Sequence, residues 1–159
     1  MSRRRADAHS GPTERVPPFR FSSVSRVEIA DTDLGAVVYY GRYVNHVDRA
    51  VLAYRRHVGI PGLGPEGHLF VVRRLVVEYR ASARFDDEVE AFVRVSRVGG
   101  SSHEYEVRLE RLGDAPAHLA DATLVVVGVG GYESPRPSRM PESMRAAISD
   151  FEGLGGAAA

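Results

Sequence analysis

Cysteine and lysine are both missing from this chain of 159 residues. Without cysteine there is no disulfide framework, no thiolate metal site and no cysteine nucleophile. Without lysine there is no Schiff-base chemistry, and all 21 basic residues are arginine. Arginine, alanine and glycine share GC-rich codons, so the bias points to a high-GC bacterial genome and not to a mechanism. Net charge is lacking too. The 21 acidic residues balance the arginines, which argues against a nucleic-acid partner held by bulk electrostatics. Long apolar runs are absent: the longest, Leu124 to Val129, is strand-sized and far too short to span a bilayer. Arg3, Arg4 and Arg5 are followed by polar residues and prolines with no apolar stretch, so the N-terminus does not read as a signal peptide. A cytoplasmic protein with no membrane partner is expected. There is no G-x-S-x-G elbow, no P-loop and no H-E-x-x-H. The six histidines, His9, His46, His57, His68, His103 and His118, lack metal-ligand spacing and read as surface or core-edge residues. No metal and no cofactor is expected.

What is present is a chain of single-domain size with 43% hydrophobic residues, enough for a sizeable core. Residues 1–18 are basic and proline-containing and read as disordered. Residues 152–159 read as a flexible Gly/Ala tail, which leaves 19–151 as the folded domain. Phe21 to Ile29 predicts a first strand. Tyr43, Val47, Val51, Tyr54 and Val58 recur at spacings of three and four and predict a helix from Tyr39 to Val58, stopped by Gly59 and Pro61. Leu69 to Arg80 is a near-continuous β-branched run, as for a strand buried on both faces. Val89, Ala91, Val93 and Val95 alternate with Glu88, Glu90, Phe92 and Arg94. Tyr105, Val107 and Leu109 alternate with Glu104, Glu106, Arg108 and Glu110, whose acidic members read as a solvated sheet face. Gly99, Gly100, Ser101 and Ser102 between the two segments predict a hairpin. A last strand from His118 to Gly128 and a short helix from Pro141 to Phe151 complete the pattern. One long helix among about five antiparallel strands is an α+β arrangement in which the sheet wraps the helix.

The segment from Asp31 to Arg49 carries the chemistry. Asp31 and Asp33 lie two residues apart in a turn, and a helix starts about seven residues later. Both aspartates suit ordinary turn or capping roles. The alternative is that one carboxylate faces a cleft into which the free N–H groups of the helix start also point, where they would hold a developing oxyanion.

These residues resemble the hot-dog-fold acyl-CoA thioesterases of the 4-hydroxybenzoyl-CoA thioesterase family, particularly the bacterial branch associated with the Tol-Pal system. The resemblance rests on Asp31, Asp33, Gly35, Val37, Val38, Tyr39, Tyr43, Asp48, Arg49 and Ala50. A second block contains Phe70 to Arg74, Val77 to Tyr79 and Ala83 to Asp87. It implies a hot-dog fold, a long central helix wrapped by a curved antiparallel sheet, with active sites at a subunit interface of a dimer or a dimer of dimers. It also implies that Asp33 is catalytic, as nucleophile or general base, and that the backbone N–H at Tyr40 polarises the thioester carbonyl. Such a reaction suits one carboxylate and one donor, because a thiolate leaves with little protonation.

Two features depart from the Tol-Pal branch. That branch typically has histidine at the position of Tyr40, whereas tyrosine is found nearer the aryl-CoA enzymes. The hairpin reads Gly99-Gly100-Ser101-Ser102, with only Arg97 near it, where relatives often carry basic residues for the CoA phosphates. Acyl carrier protein is therefore a thioester donor to weigh beside acyl-CoA. Gly35, Val38, Tyr39 and Tyr43 are candidate substrate-binding residues, although Tyr43 also lies on the apolar stripe. Arg73 and Arg74 interrupt an apolar strand, and such arginines need a carboxylate, an interface or a ligand phosphate. A hot-dog dehydratase and a non-catalytic acyl-binding module are the other functions the fold serves. A dehydratase needs a histidine that the helix-start motif lacks, and a binding module has no need of Asp33.

Overall fold

The computed structural model describes residues 9–60, 67–131, 133 and 135–155. Pro61 and most of the loop up to Gly67 lie outside the described residues, as do residues 1–8 and the last four. Eight elements follow in order: β1 (Ser10–Pro12), β2 (Phe21–Arg26), α1 (Tyr43–His57), β3 (Leu69–Tyr79), β4 (Glu88–Val98), β5 (Ser102–Arg111), β6 (Ala117–Val129) and α2 (Glu142–Glu152). The strands form one antiparallel sheet in the order β1-β2-β4-β5-β6-β3.

The core forms where the helical stripe meets the inner rows of β4 and β5. Tyr43, Val47, Ala50, Val51 and Tyr54 on α1 are buried against Val89, Ala91, Val93, Val95, Tyr105, Val107 and Leu109. The period-two alternation of those strands is thus the reason one sheet face closes on the helix. α1 begins at Tyr43, four residues later than the spacing predicts, because Tyr40–Arg42 forms a separate 3-10 turn. Gly59 ends the helix in a left-handed conformation, φ 83°. The described helices are too short and too polar to cross a membrane.

Four expectations need correction. The segment through Pro18 is not disordered where it is described. Ser10–Pro12 pairs with β2, and Arg15 bonds Glu90 (2.7 Å) and Glu110 (2.6 Å). The physical reason is Phe92, which points away from the helix and would face water. Phe19 covers it at a ring separation of 6.1 Å, and the Arg15 guanidinium lies 4.8 Å from its centroid. β1 also makes the sheet six-stranded instead of five.

β3 is not buried on both faces. It ends the sheet order, and Val71, Val72, Val76 and Tyr79 are exposed, Val72 by 64%. Its continuous apolar run therefore serves an open edge.

Residue 152 does not belong to a tail. Glu152 is the last residue of α2, and the left-handed Gly153 that follows packs against Arg20, which donates to the Phe151 carbonyl at 2.9 Å.

The histidines are also less peripheral than their spacing suggests: His46, His68 and His103 are buried.

Candidate active site

The chain leaves β2 through a 3-10 turn at Ile29–Asp31, and the Asp31 side chain closes it by accepting the Glu28 N–H at 2.9 Å. A tight loop follows. Thr32 pairs with Val38, Asp33 donates its N–H to the Val37 carbonyl (3.0 Å), and Ala36 donates to the Asp33 carbonyl (3.0 Å). Ala36 adopts φ 58°, a left-handed conformation that costs an alanine about 1–2 kcal/mol and that the surrounding bonds enforce. Val37 bridges Arg84 and Val38 donates to the Ala83 carbonyl, so the loop is fixed to the segment following β3.

Asp33 stands exposed at the turn of this loop. Its Oδ1 accepts the Gly35 N–H at 2.7 Å, and a Cβ at residue 35 would lie only 3.0 Å from that oxygen. Gly35 thus leaves the carboxylate room and supplies it with a donor. Asp31 differs sharply: it is 4% exposed and acts as the turn's internal clamp. Both aspartates therefore make the local turn bonds that a turn or capping role calls for, and Asp33 alone keeps its carboxylate open to solvent.

Tyr40 opens the 3-10 turn that feeds α1, and the first N–H groups of such a turn have no partner within it. The Tyr39 N–H donates to the Asp31 carbonyl at 2.9 Å, which sets the backbone immediately before Tyr40. The Tyr79 hydroxyl donates to the Tyr40 carbonyl at 2.8 Å, holding the turn from the β3 side. Tyr40 lines an open pocket of about 280 Å³ with Val38, Tyr43, Tyr79 and the backbone turn at Ala81 and Ser82. The Tyr39 and Tyr40 rings lie 4.4 Å apart, and bonding to Tyr40 raises the Tyr39 hydroxyl's pKa.

The remaining candidates divide. Val38 and Tyr43 are buried beneath the loop, and Tyr43 accepts the Ala83 N–H at 2.9 Å, so its hydroxyl is a structural anchor whose pKa burial raises. Arg73 and Arg74 are exposed on the β3 edge, beside the bulge between Val72 and Arg74, and no ion pair engages them among the described residues. Within one chain they are remote from Tyr40: Arg74 pairs with Val125, Tyr79 with Ala120, five residues along β6. Arg97 is exposed near the β4–β5 hairpin, on the cross-strand row that continues through Glu104 and Val125 to Arg74. A single chain therefore gathers Asp33, Gly35, Tyr39 and Tyr40 but not the arginines. Among the described residues no three histidine, aspartate or glutamate side chains converge as metal ligands.

The model of the Thioesterase superfamily matches residues 35–117. The acyl-CoA thioester hydrolase YbgC of Escherichia coli is 34% identical over 129 residues, covering 80% of this chain and 92% of that protein. The chain belongs to the thioesterase superfamily. A Thermus thermophilus thioesterase crystallised with coenzyme A and zinc aligns with a TM-score of 0.70 at 29% identity, over 83% of this chain and 93% of that one. A 4-hydroxybenzoyl-CoA thioesterase in complex with 4-hydroxybenzoyl-CoA shares the fold, with a TM-score of 0.74 at 17% identity over 80% of this chain and 97% of that one. The sheet wrapped on one long helix is therefore the hot-dog thioesterase fold.

Two groups at the site carried no individual weight in the sequence. Tyr79 stands out only as the aromatic end of an apolar strand, and its bond to Tyr40 depends on tertiary structure. His46 is one turn into α1, where a histidine on an apolar stripe gives no sign of what it faces.

Proposed function

We propose that this thioesterase hydrolyses the thioester of an acyl-CoA or an acyl carrier protein, with Asp33 as nucleophile or general base and the Tyr40 backbone N–H as oxyanion donor. The observation that carries this reading is the loop itself. The Asp31 carbonyl accepts the Tyr39 N–H across the loop while its side chain fixes the turn before it, which ties the exposed carboxylate to the helix start. Asp33 would attack the carbonyl carbon, or take a proton from the attacking water. The Tyr40 N–H, aided by the helix dipole, would stabilise the oxyanion as the thiolate departs. The chemistry asks for neither metal nor cofactor, and the substrates suit a cytoplasmic enzyme. Among the described residues the histidine near the loop is His46, which is 2% exposed, and this disfavours a dehydratase.

The site is read as shared between copies of this chain. Val71, Val72, Val76 and Tyr79 form an apolar open edge, and pairing of two such edges would bring Arg73 and Arg74 into an interface. We assign these arginines and Arg97 to contacts with the partner or with a phosphate-bearing substrate arm.

The test is hydrolysis of matched acyl groups on CoA and on carrier protein by the native chain and by Asp33→Asn and Asp33→Ala. Turnover is expected to fall by at least about a hundredfold in both variants, with substrate binding retained. Full turnover in either variant would sink the assignment of Asp33, and the donor that is cleaved faster identifies the substrate class.

A further inference from the structure

Asp31 links the two halves of the proposed site. Its Oδ2 accepts the Glu28 N–H and its carbonyl accepts the Tyr39 N–H, each at 2.9 Å. Asp33 follows it by two residues, and Tyr40 follows the bonded Tyr39 directly. A small rotation of Asp31 would therefore move both the carboxylate and the oxyanion donor. A carboxylate buried to this depth needs its remaining lone pairs faced by donors.

The side chain that faces it from the helix is His46. The imidazole is 2% exposed, and its Nε2 comes within 3.8 Å of Asp31 Oδ2. The opposite nitrogen, Nδ1, lies 2.8 Å from Ser25 Oγ on β2. The Ser25 hydroxyl can donate to Nδ1, which turns the Nε2–H toward the carboxylate at a separation longer than a hydrogen bond, where it acts as an electrostatic contact. Burial lowers the His46 pKa, with opposing contributions from Asp31 and Glu28 and a further lowering from Arg49, which favours the neutral ring. A buried imidazole among Tyr43, Val47 and Ala50 is costly as mere filling, because its polar atoms would be solvated in the unfolded chain.

We propose that His46 is a positioning residue of the thioesterase site: held by Ser25, it directs its Nε2–H at Asp31 and thereby fixes where Asp33 and the Tyr40 N–H meet the substrate. This rests on the reading of Asp33 and Tyr40 given above. His46 touches no reacting atom, and its effect passes through the loop. Displacing a reacting group by about 1 Å can lower a rate by about a hundredfold, so a weak brace has a measurable effect.

The test compares His46→Phe, His46→Gln, Asp33→Asn and the double variant Asp33→Asn with His46→Phe, scored by kcat, KM and melting temperature. Phenylalanine keeps the ring volume and loses the donor; glutamine keeps an N–H near the Nε2 position and loses the ring. Positioning predicts kcat reduced about tenfold or more in His46→Phe at unchanged KM, and kcat within about threefold of native in His46→Gln. Packing alone predicts the reverse order. In the Asp33→Asn background, His46→Phe should cause a smaller further loss than in the native chain, since only the Tyr40 N–H remains to be directed. Native kcat in His46→Phe, or a larger loss in His46→Gln, overturns the proposal. If neither His46 variant folds, Ser25→Ala decides: a lowered kcat at native KM supports the brace, and native kcat overturns it. An active Asp33→Asn overturns the reading of the site itself. An inactive Asp33→Asn beside a fully active His46→Phe overturns the positioning role alone.

Discussion

The Tyr54 hydroxyl donates to Glu152 Oε1 at 2.6 Å, and the same carboxylate oxygen accepts the Val95 backbone N–H at 2.9 Å. One side chain at the end of α2 thus joins α1 to β4, where the β4–β5 register slips between Val95 and Arg97. Burial is the main reason the Glu152 pKa is raised above its ordinary 4.5. A carboxyl that is harder to ionise in the folded chain contributes stability that is full below pH 4.5 and is lost as pH rises through the raised value. Glu152→Gln keeps an acceptor without the charge. The native chain is accordingly expected to gain melting temperature relative to Glu152→Gln on acidification from pH 7 toward 4.5. Glu152→Ala leaves the hydroxyl and the amide unpaired and should cost about 1–3 kcal/mol, visible as an earlier thermal transition. A difference between native and Glu152→Gln that does not change with pH would contradict this account.

Tyr79→Phe removes one hydrogen bond to the Tyr40 carbonyl and leaves the ring in contact with Tyr43, at 5.4 Å. A bond of this kind is worth about 0.5–1.5 kcal/mol, so kcat is expected to fall about twofold to tenfold, with little change in melting temperature. Gly35→Ala acts on the other end of the loop, since its Cβ crowds Asp33 Oδ1. A larger loss of kcat is expected there, again at near-native stability. Steady-state kinetics that showed a rise in KM alone would place both residues in substrate binding and not in alignment.

The folded chain should not tolerate loss of its first 18 residues. Phe92 is fully buried beneath Phe19 and the Arg15 guanidinium, and Glu90 bonds Arg15 and Ser22 in the same place. Removing residues 1–18 takes the Arg15 guanidinium off the ring, unpairs the edge of β2 and leaves Glu90 with fewer donors. Calorimetry of a chain starting at Phe19 is expected to show a transition lower by several degrees, and an unchanged transition would mean that the strap contributes little.

Local periodicity made the inner architecture legible in the sequence. The stripe from Tyr43 to Tyr54 and the alternations beginning at Val89 and Tyr105 each identify a buried face from spacing alone. What escaped depends on partners distant in the chain. Phe92 looks like one apolar residue in a polar row until Phe19 and Arg15 cover it. The run from Leu69 reads as an interior strand because composition records how apolar a strand is and not whether a neighbour exists on both sides. At the site, Asp-x-Asp marks the loop, and its resemblance to a known motif singles out Asp33. The division of labour between a buried Asp31 and an exposed Asp33, and the support from Tyr79, come only from tertiary contacts.

A charge on the open edge tests whether β3 joins two copies. Val72 is 64% exposed in the single chain. Val72→Lys would place an ammonium group in any interface formed there, whereas on a free edge it is harmless. Light scattering on eluted protein is expected to show the native chain as a dimer or larger and the variant shifted toward monomer. Activity should fall with the loss of assembly if the site is shared, and an active monomer would refute that sharing.

Acid should weaken the fold through its buried histidines. His103 Nε2 lies 2.9 Å from the Tyr105 hydroxyl, and burial, reinforced by Arg55 and His68, lowers its pKa to about 3. His68, which packs so closely over Gly128 that a Cβ there would have to displace the imidazole, is lowered by burial as well, and so is His46. For each of them the folded chain resists a proton that the unfolded chain accepts below about pH 6.5. Their stability contribution is therefore complete above that pH and declines as pH falls toward the lowered values. Glu152 acts in the opposite direction over part of the same range, but three groups oppose one. The melting temperature is expected to drop between pH 6.5 and 4, and His103→Gln, which keeps a polar partner for Tyr105 without a titrating ring, should show a shallower drop. A native chain as stable at pH 4 as at pH 7 would mean that these imidazoles take up protons without unfolding, and that the pocket around His103 admits water.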